Sequence, residues 1–299
     1  MTALLLGALG LTLSLAVPGV LAGARWPERA PAAAVALWQA ITLAAVLSAL
    51  GVVLAAPEEL VRSAGSGRPV ATAALFGALA VAAVIVIRLL LSLADVSRRS
   101  RARRERHRTL VDLLDRAEQR REIDVDGLRV LDGALPFAYC VPGRSPRLVL
   151  SDGALRVLDR AQVDAVLAHE QAHLRHHHDL VMESFTALYR AVPRPLRRRT
   201  PLDAVHLLLE MVADDAARRR CGPDPLRSAL RRLTDAVLPV APAGTGDDRR
   251  RRLDRLAAAD RRSVAVTVVV GLAAIAVLVL PTVILVVPWL DRALEAWPL

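Results

Sequence analysis

The stretch His169-Glu170-Gln171-Ala172-His173 has residue types and spacing suited to metal chemistry. On a helix, residues i and i+4 stand one above the other on a single face, so both imidazoles can reach one ion. Glu170 lies about 100° further round the helix, out of line with the two ligands but able to address a water at that ion. This is the HExxH arrangement of a zinc peptidase: two ligands, and a carboxylate placed to take a proton from the attacking water. Two histidines and a water still leave a catalytic zinc short of its third protein ligand.

Two acids compete for that place. Asp179 follows His173 by six residues, a reach that requires the helix to break; position 176, where a helix-ending Gly would serve, is His176, followed by His177 and His178. The helix is therefore expected to continue, and His176 to His178 to form its solvated polar end. Glu210 sits in Leu207-Leu208-Leu209-Glu210-Met211-Val212-Ala213-Asp214, apolar enough to be a core helix, where a carboxylate demands a partner. Glu210 and Asp214 are again i and i+4, so Glu210 can ligate while Asp214 accepts the N–H of a ligand imidazole and fixes its tautomer. The alternative is a buried ion pair with one of Arg218 to Arg220.

These residues need elements to hold them. Asp159 is a suitable N-cap with Gln162 three residues on, and Val163, Val166, Leu167 and Leu174 recur at helical spacing, which predicts an amphipathic helix carrying the motif. Upstream, residues 127–132, 136–143 and 147–150 read as short strands separated by Gly and Pro.

The wider composition limits the setting. Of 299 residues 54% are hydrophobic and 3% aromatic, while 40 basic residues, all Arg, face 30 acidic ones for a net charge of +10. That apolar content excludes a disordered chain, and two cysteines, Cys140 and Cys221, cannot form a disulfide framework. Four long runs are apolar enough to cross a bilayer: about 2–22, 33–56, 70–94 and 263–290, with Arg88 snorkelling from the third and Pro281 and Pro288 tolerated in the fourth. The chain thus divides into a membrane domain, 1–95, a polar domain, 96–262, the fourth span, 263–290, and a short tail, 291–299. The absence of a basic start argues that the first run is kept rather than cleaved. Seven arginines crowd Arg98–Arg108 and seven more Arg249–Arg262, which places both ends of the polar domain in the cytoplasm and both termini outside. No aromatic residues interleave with these arginines to stack bases, so anionic lipid head groups rather than nucleic acid are the expected contact.

The chain resembles the BlaR1/MecR1-type membrane metallopeptidases of family M56, and more distantly the M48 group of CAAX and HtpX-like proteases. The resemblance rests on His169-Glu170-Gln171-Ala172-His173, on Glu210-Met-Val-Ala213-Asp214, similar to the family's ExxAD helix, and on three spans before the polar domain with one after, a count that favours M56. It implies a mostly α membrane protein, four transmembrane helices with an α+β gluzincin-like peptidase domain inserted between the third and fourth. It further implies one zinc ion on His169, His173 and Glu210, and a substrate strand at an edge near the active helix, carried over to Ala138, Tyr139, Cys140 and Val141. A sensor domain of the antibiotic-sensing kind is not expected after the last span, so a signal would act through the spans, the outer loops or a partner.

The expected function is cleavage of a cytoplasmic or membrane-proximal protein, such as a transcriptional repressor, by a zinc endopeptidase. The alternatives are a signalling or scaffold protein with a structural metal site, which a fourth ligand such as His206 would favour, an M48-like quality-control or processing protease, and an intramembrane protease, disfavoured by Asp159, Arg160, Asp164 and Arg175 around the motif. His206, Tyr189 and Arg190 are open candidates for stabilising the oxyanion.

Overall fold

The computed structural model describes residues 1–65, 67–113, 127–235, 245–258 and 263–296; residues 297–299 of the expected tail lie outside them. The chain divides into two compact units, one of Met1–Ala94, Thr186–Val205 and Arg262–Leu299, the other of Asp95–Phe185 and His206–Arg261.

The first unit is built from four helices apolar and long enough to span a membrane. Helix α1, Thr2–Gly23, contains a π-helical stretch at Thr12–Ala16, and a 3-10 turn at Trp26–Arg29 joins it to α2, Pro31–Gly65. Helix α3, Pro69–Leu113, and the last helix, α10, Val264–Ala296, complete the set. Both α2 and α3 outrun their apolar stretches: α2 continues through Pro57 and the charged residues Glu58, Glu59 and Arg62, and α3 carries straight into its arginines. Arg and Glu are good helix formers, so hydropathy locates an apolar run without locating the helix end. Ala3, Leu6, Ala49, Val52, Ala56, Leu75 and Ala82 form a buried cluster whose small residues let the backbones approach closely. Arg88 does not end in open solvent alone: its Nε donates to the carbonyl of Ala191 at 2.7 Å, and Ser92 Oγ donates to that of Ala187 at 2.7 Å. Thr186–Val205, which hydropathy leaves with the polar domain, thus packs with the apolar helices.

The second unit holds a three-stranded sheet of β1, Leu128–Leu131, β2, Ala138–Val141, and β3, Arg147–Ser151, in the order β1-β3-β2. β3 pairs parallel with β1 and antiparallel with β2, with Tyr139 opposite Val149. As the central strand, β3 is apolar on both faces, the pattern expected of a strand covered on both sides. Leu148 and Leu150 point into a core shared with Val163, Val166 and Leu167, whereas Val149 joins Val111, Leu131 and Val141 on the other face. Fully burying each of these Leu side chains contributes about 2 kcal/mol.

Helices follow the sheet: α4, Asp152–Val157, α5, Arg160–Arg175, α6, His178–Ala191, α7, Thr200–Cys221, α8, Pro223–Asp235, and α9, Thr245–Ala257. Helix α5 begins in a capping box, Gln162 N–H donating to Asp159 Oδ1 at 2.9 Å and Asp159 N–H to Gln162 Oε1 at 3.2 Å. The helix does not continue past the motif. It ends at Arg175, and His177 adopts a left-handed conformation, φ 50°, from which α6 starts at His178.

Gly153 at the start of α4 sets the distance between helix and loop. Its N–H donates to Gly133 O at 2.8 Å, and a Cβ there would lie 2.3 Å from Ala134 O. Ser151 Oγ caps the same helix and accepts from Phe137 N–H at 2.9 Å, so one corner holds the loop that delivers β2. Gly153→Ala is expected to destabilise the detergent-solubilised protein by about 1–3 kcal/mol, through backbone overpacking, measured as the shift of its unfolding midpoint.

Candidate metal centre

Helix α5 presents His169 and His173 on the face that meets α7, because Val163, Val166 and Leu167 commit the neighbouring face to the sheet. Helix α7 is fixed by its own apolar residues, Leu207, Leu208, Leu209 and Met211, all buried. This fixes the remaining face, with Glu210 and Asp214, against the histidines. His169 Nε2 lies 3.1 Å from His173 Nε2, and Glu210 places Oε2 3.6 Å from the first and Oε1 3.4 Å from the second. Two nitrogens and an oxygen bound tetrahedrally to zinc at about 2.0–2.1 Å would stand about 3.3 Å apart. Glu210 meets the two histidines with different oxygens, so His169, His173 and Glu210 could hold one zinc ion once that carboxylate turns to offer a single oxygen to both.

The carboxylates behind the ligands are tied down by Arg252 of α9. Its Nε and Nη2 hold the two oxygens of Asp214 at 2.8 and 2.7 Å, and its Nη1 donates to Glu210 Oε2 at 2.7 Å. Asp214 Oδ1 also stands 3.1 Å from His169 Nδ1, off the alignment of a good hydrogen bond but close enough for strong attraction. The buried counter-charge is thus Arg252, and not Arg218 to Arg220 as the adjacent sequence suggested. Its position inside Arg249-Arg250-Arg251-Arg252 hides it, although Leu256, one turn on and buried, marks the inward face of α9.

Burial and charge set the protonation of the cluster. Burial pushes the Asp214 and Glu210 carboxyls up, but Arg252 and His169 more than offset this and hold both below the usual carboxylate range. Burial would lower His169, yet Asp214 and Glu210 draw it up to about 9, so the field here favours a positive charge. Burial lowers His173 to about 4, which keeps it neutral, the form that ligates a metal. Glu170 is pushed up, mainly by burial, while the charge on His169 pulls the other way.

Strand β2 is an edge strand, and among the described residues its outer side pairs with no other strand. Ala138 and Cys140 face the core beside α5, while Phe137 and Tyr139 pack on the opposite side of the sheet. The Cys140 thiol meets the Glu170 carboxylate; burial first, and that carboxylate second, push the thiol up, so it stays protonated. Tyr139 Oη is 3.0 Å from His107 Nε2.

The other singled-out residues lie elsewhere. Asp179 does not join the three donors; with Glu183 it binds the Arg104 guanidinium. His206 is exposed and outside the donor group, and Tyr189 and Arg190 belong to the first unit, where the Arg197 guanidinium covers the Tyr189 ring. His178, expected in solvent, is buried, with Nδ1 2.9 Å from His173 Nδ1.

Residues 97–193 match the model of peptidase family M48. A protein named Protease HtpX homolog, from Thermodesulfovibrio yellowstonii, is 28% identical over 81 residues, 26% of this chain and 28% of that protein, so the chain matches well under half of the relative's length. No solved structure matches the chain significantly. The M56 assignment suggested by the span count is thereby corrected. Counting apolar runs says nothing of the chemistry-bearing stretch around His169–His173, where the M48 match lies.

Arg252 neutralises two carboxylates at once, so Arg252→Met should destabilise the protein by about 3 kcal/mol, as expected for a buried pair left with one partner. The sign of the pH dependence follows. Carboxyls held below their unfolded values stabilise the fold fully above about pH 4–5 and lose that contribution as the pH falls through their folded values. Unfolding midpoints of the metal-free protein between pH 3 and 7, with roughly those limits set by unperturbed carboxyls, should drop on the acid side in the native chain and stay flatter in Arg252→Met.

Proposed function

We propose that the chain is an integral membrane zinc endopeptidase of the M48, HtpX-like kind, acting on protein substrates in quality control or processing. The carrying observation is the convergence of His169 Nε2 and His173 Nε2, 3.1 Å apart, with the Glu210 carboxylate, whose two oxygens lie 3.6 and 3.4 Å from them, and with Glu170 on the same helix as the histidines. Among the described residues the donor group has three members, which fits a catalytic ion with an open position better than a closed structural site. A zinc ion held there supplies Lewis acidity toward water and toward a scissile carbonyl.

The chain's own residues do the rest. Glu170 accepts the proton of the attacking water at its carboxylate and delivers it to the departing amine nitrogen. Its burial brings it toward the protonation range in which one group can both take and give a proton. Asp214, held by Arg252, orients His169 and keeps Glu210 charged. The outer edge of β2, Ala138–Val141, unpaired among the described residues, adjoins α5 and would offer its N–H and C=O groups to an extended substrate backbone, which selects unfolded or flexible segments over folded ones.

Glu170→Gln keeps the size and loses the base. It should lower hydrolysis of an unfolded protein such as casein by about 10²–10⁴-fold with zinc content unchanged by elemental analysis, while Glu210→Ala should lose the zinc. Retained cleavage by Glu170→Gln would remove this mechanism.

In this reading the peptidase domain is gluzincin-like and lies between the third and fourth spans; the arginine-rich ends of the second unit support its placement in the cytoplasm, with both termini outside. In a Cys140→Ser, Cys221→Ser background, a membrane-impermeant maleimide added to intact cells should label Arg62→Cys and leave Asp247→Cys unlabelled; the opposite pattern would invert the topology.

A further inference from the structure

We propose that His178 is a positioning residue for the metal centre: its Nδ1 accepts the Nδ1 proton of His173, locking His173 in the tautomer whose Nε2 lone pair faces the ion. The inference rests on the zinc-site reading above and deepens it.

The argument is one of valence. His173 Nδ1 and His178 Nδ1 are 2.9 Å apart, hydrogen-bonding distance, so one must donate and the other accept. His173 Nε2 is the nitrogen that stands against His169 Nε2 and Glu210, and as a ligand it must be unprotonated. The proton of a neutral His173 then resides on Nδ1, and His178 Nδ1 must accept it, with the proton of His178 on its Nε2. Ligating histidines generally give this second N–H to a carboxylate, a carbonyl or water; His173 gives it to another imidazole. The two ligands are thereby supported differently, His169 by the Asp214 carboxylate and His173 by a neutral ring.

The backbone is shaped for this contact. A helix continuing beyond His173 would carry position 178 away from the face it must reach. Instead α5 stops at Arg175, and His177 takes a left-handed conformation that a β-carbon disfavours by about 1–2 kcal/mol. The turn brings His178 back, 4% exposed, with its ring edge-on to that of His173 at a centroid distance of 4.7 Å. Arg104 then binds Asp179 and Glu183, the next residue and the next turn of α6, and so holds that helix start in place.

Two substitutions separate hydrogen bonding from packing. His178→Phe retains a ring without an acceptor, and His178→Asn places an amide oxygen close to where Nδ1 stood. Purified full-length protein is titrated with zinc against a competing chelator, and the unfolding midpoint of each metal-free variant is recorded. His178→Phe should bind zinc about 10–100-fold more weakly, and His178→Asn should recover to within a few-fold of the native value. Native affinity in His178→Phe, or equal loss in both variants, would overturn the proposal, because a ring that merely fills space is replaced by Phe and a merely disturbed turn is not rescued by Asn. Failure of the underlying site is distinct: the native chain itself would then bind no stoichiometric zinc.

Discussion

Two carboxylates on one apolar helix are the constraint around which the second unit is organised. Glu210 and Asp214 sit a turn apart on α7 among Leu207, Leu208, Leu209 and Met211, and Asp214 is 1% exposed. Carboxylates in such surroundings either neutralise by taking up protons or collect positive charge. Here Arg252 chelates Asp214 and reaches Glu210, and His169 completes the set. The negative charge that would be a liability in the core becomes a field that would favour a cation between α5 and α7, where His169, His173 and Glu210 could hold one.

The sheet and the helices serve this arrangement in different ways. The sheet gives α5 a flat apolar surface on which Val163, Val166 and Leu167 settle its rotation, so that His169 and His173 turn to α7. Its edge strand β2 lies beside the same helix, close enough for Cys140 to meet Glu170. The break at His176 and His177 then folds the chain back, and α6 contributes both His178 to the metal face and the acid pair that receives Arg104. One short turn thus links an arginine of the long helix α3 to a ligand imidazole.

Arginine has two kinds of position in this protein. Some lie near the ends of apolar helices, where their charge bears on topology. Others are structural: Arg104, Arg252 and Arg255 each hold acids of the second unit, Arg255 binding both oxygens of Asp215 at 2.6 and 2.9 Å. A guanidinium suits this because its planar fork satisfies two carboxylate oxygens at once, which a lysine cannot do.

By itself the sequence determined what depends on local periodicity and composition. Four apolar runs, the capped helix from Asp159, the three short strands and the i, i+4 pairs His169/His173 and Glu210/Asp214 can all be read from spacing, because helix and strand geometry repeats over a few residues. Helix ends were less legible: α2 and α3 run on through charged residues, and the α5 break has no Gly to announce it, since His177 itself adopts the left-handed turn. Tertiary structure alone decided the partners. Arg252 lies 42 residues from Glu210 and reads as one arginine in a run of four, and His178 reads as one histidine in a run of three. Only the packing of α5, α6, α7 and α9 says which member of each run turns inward, because that choice follows from distances across the core that no local pattern encodes.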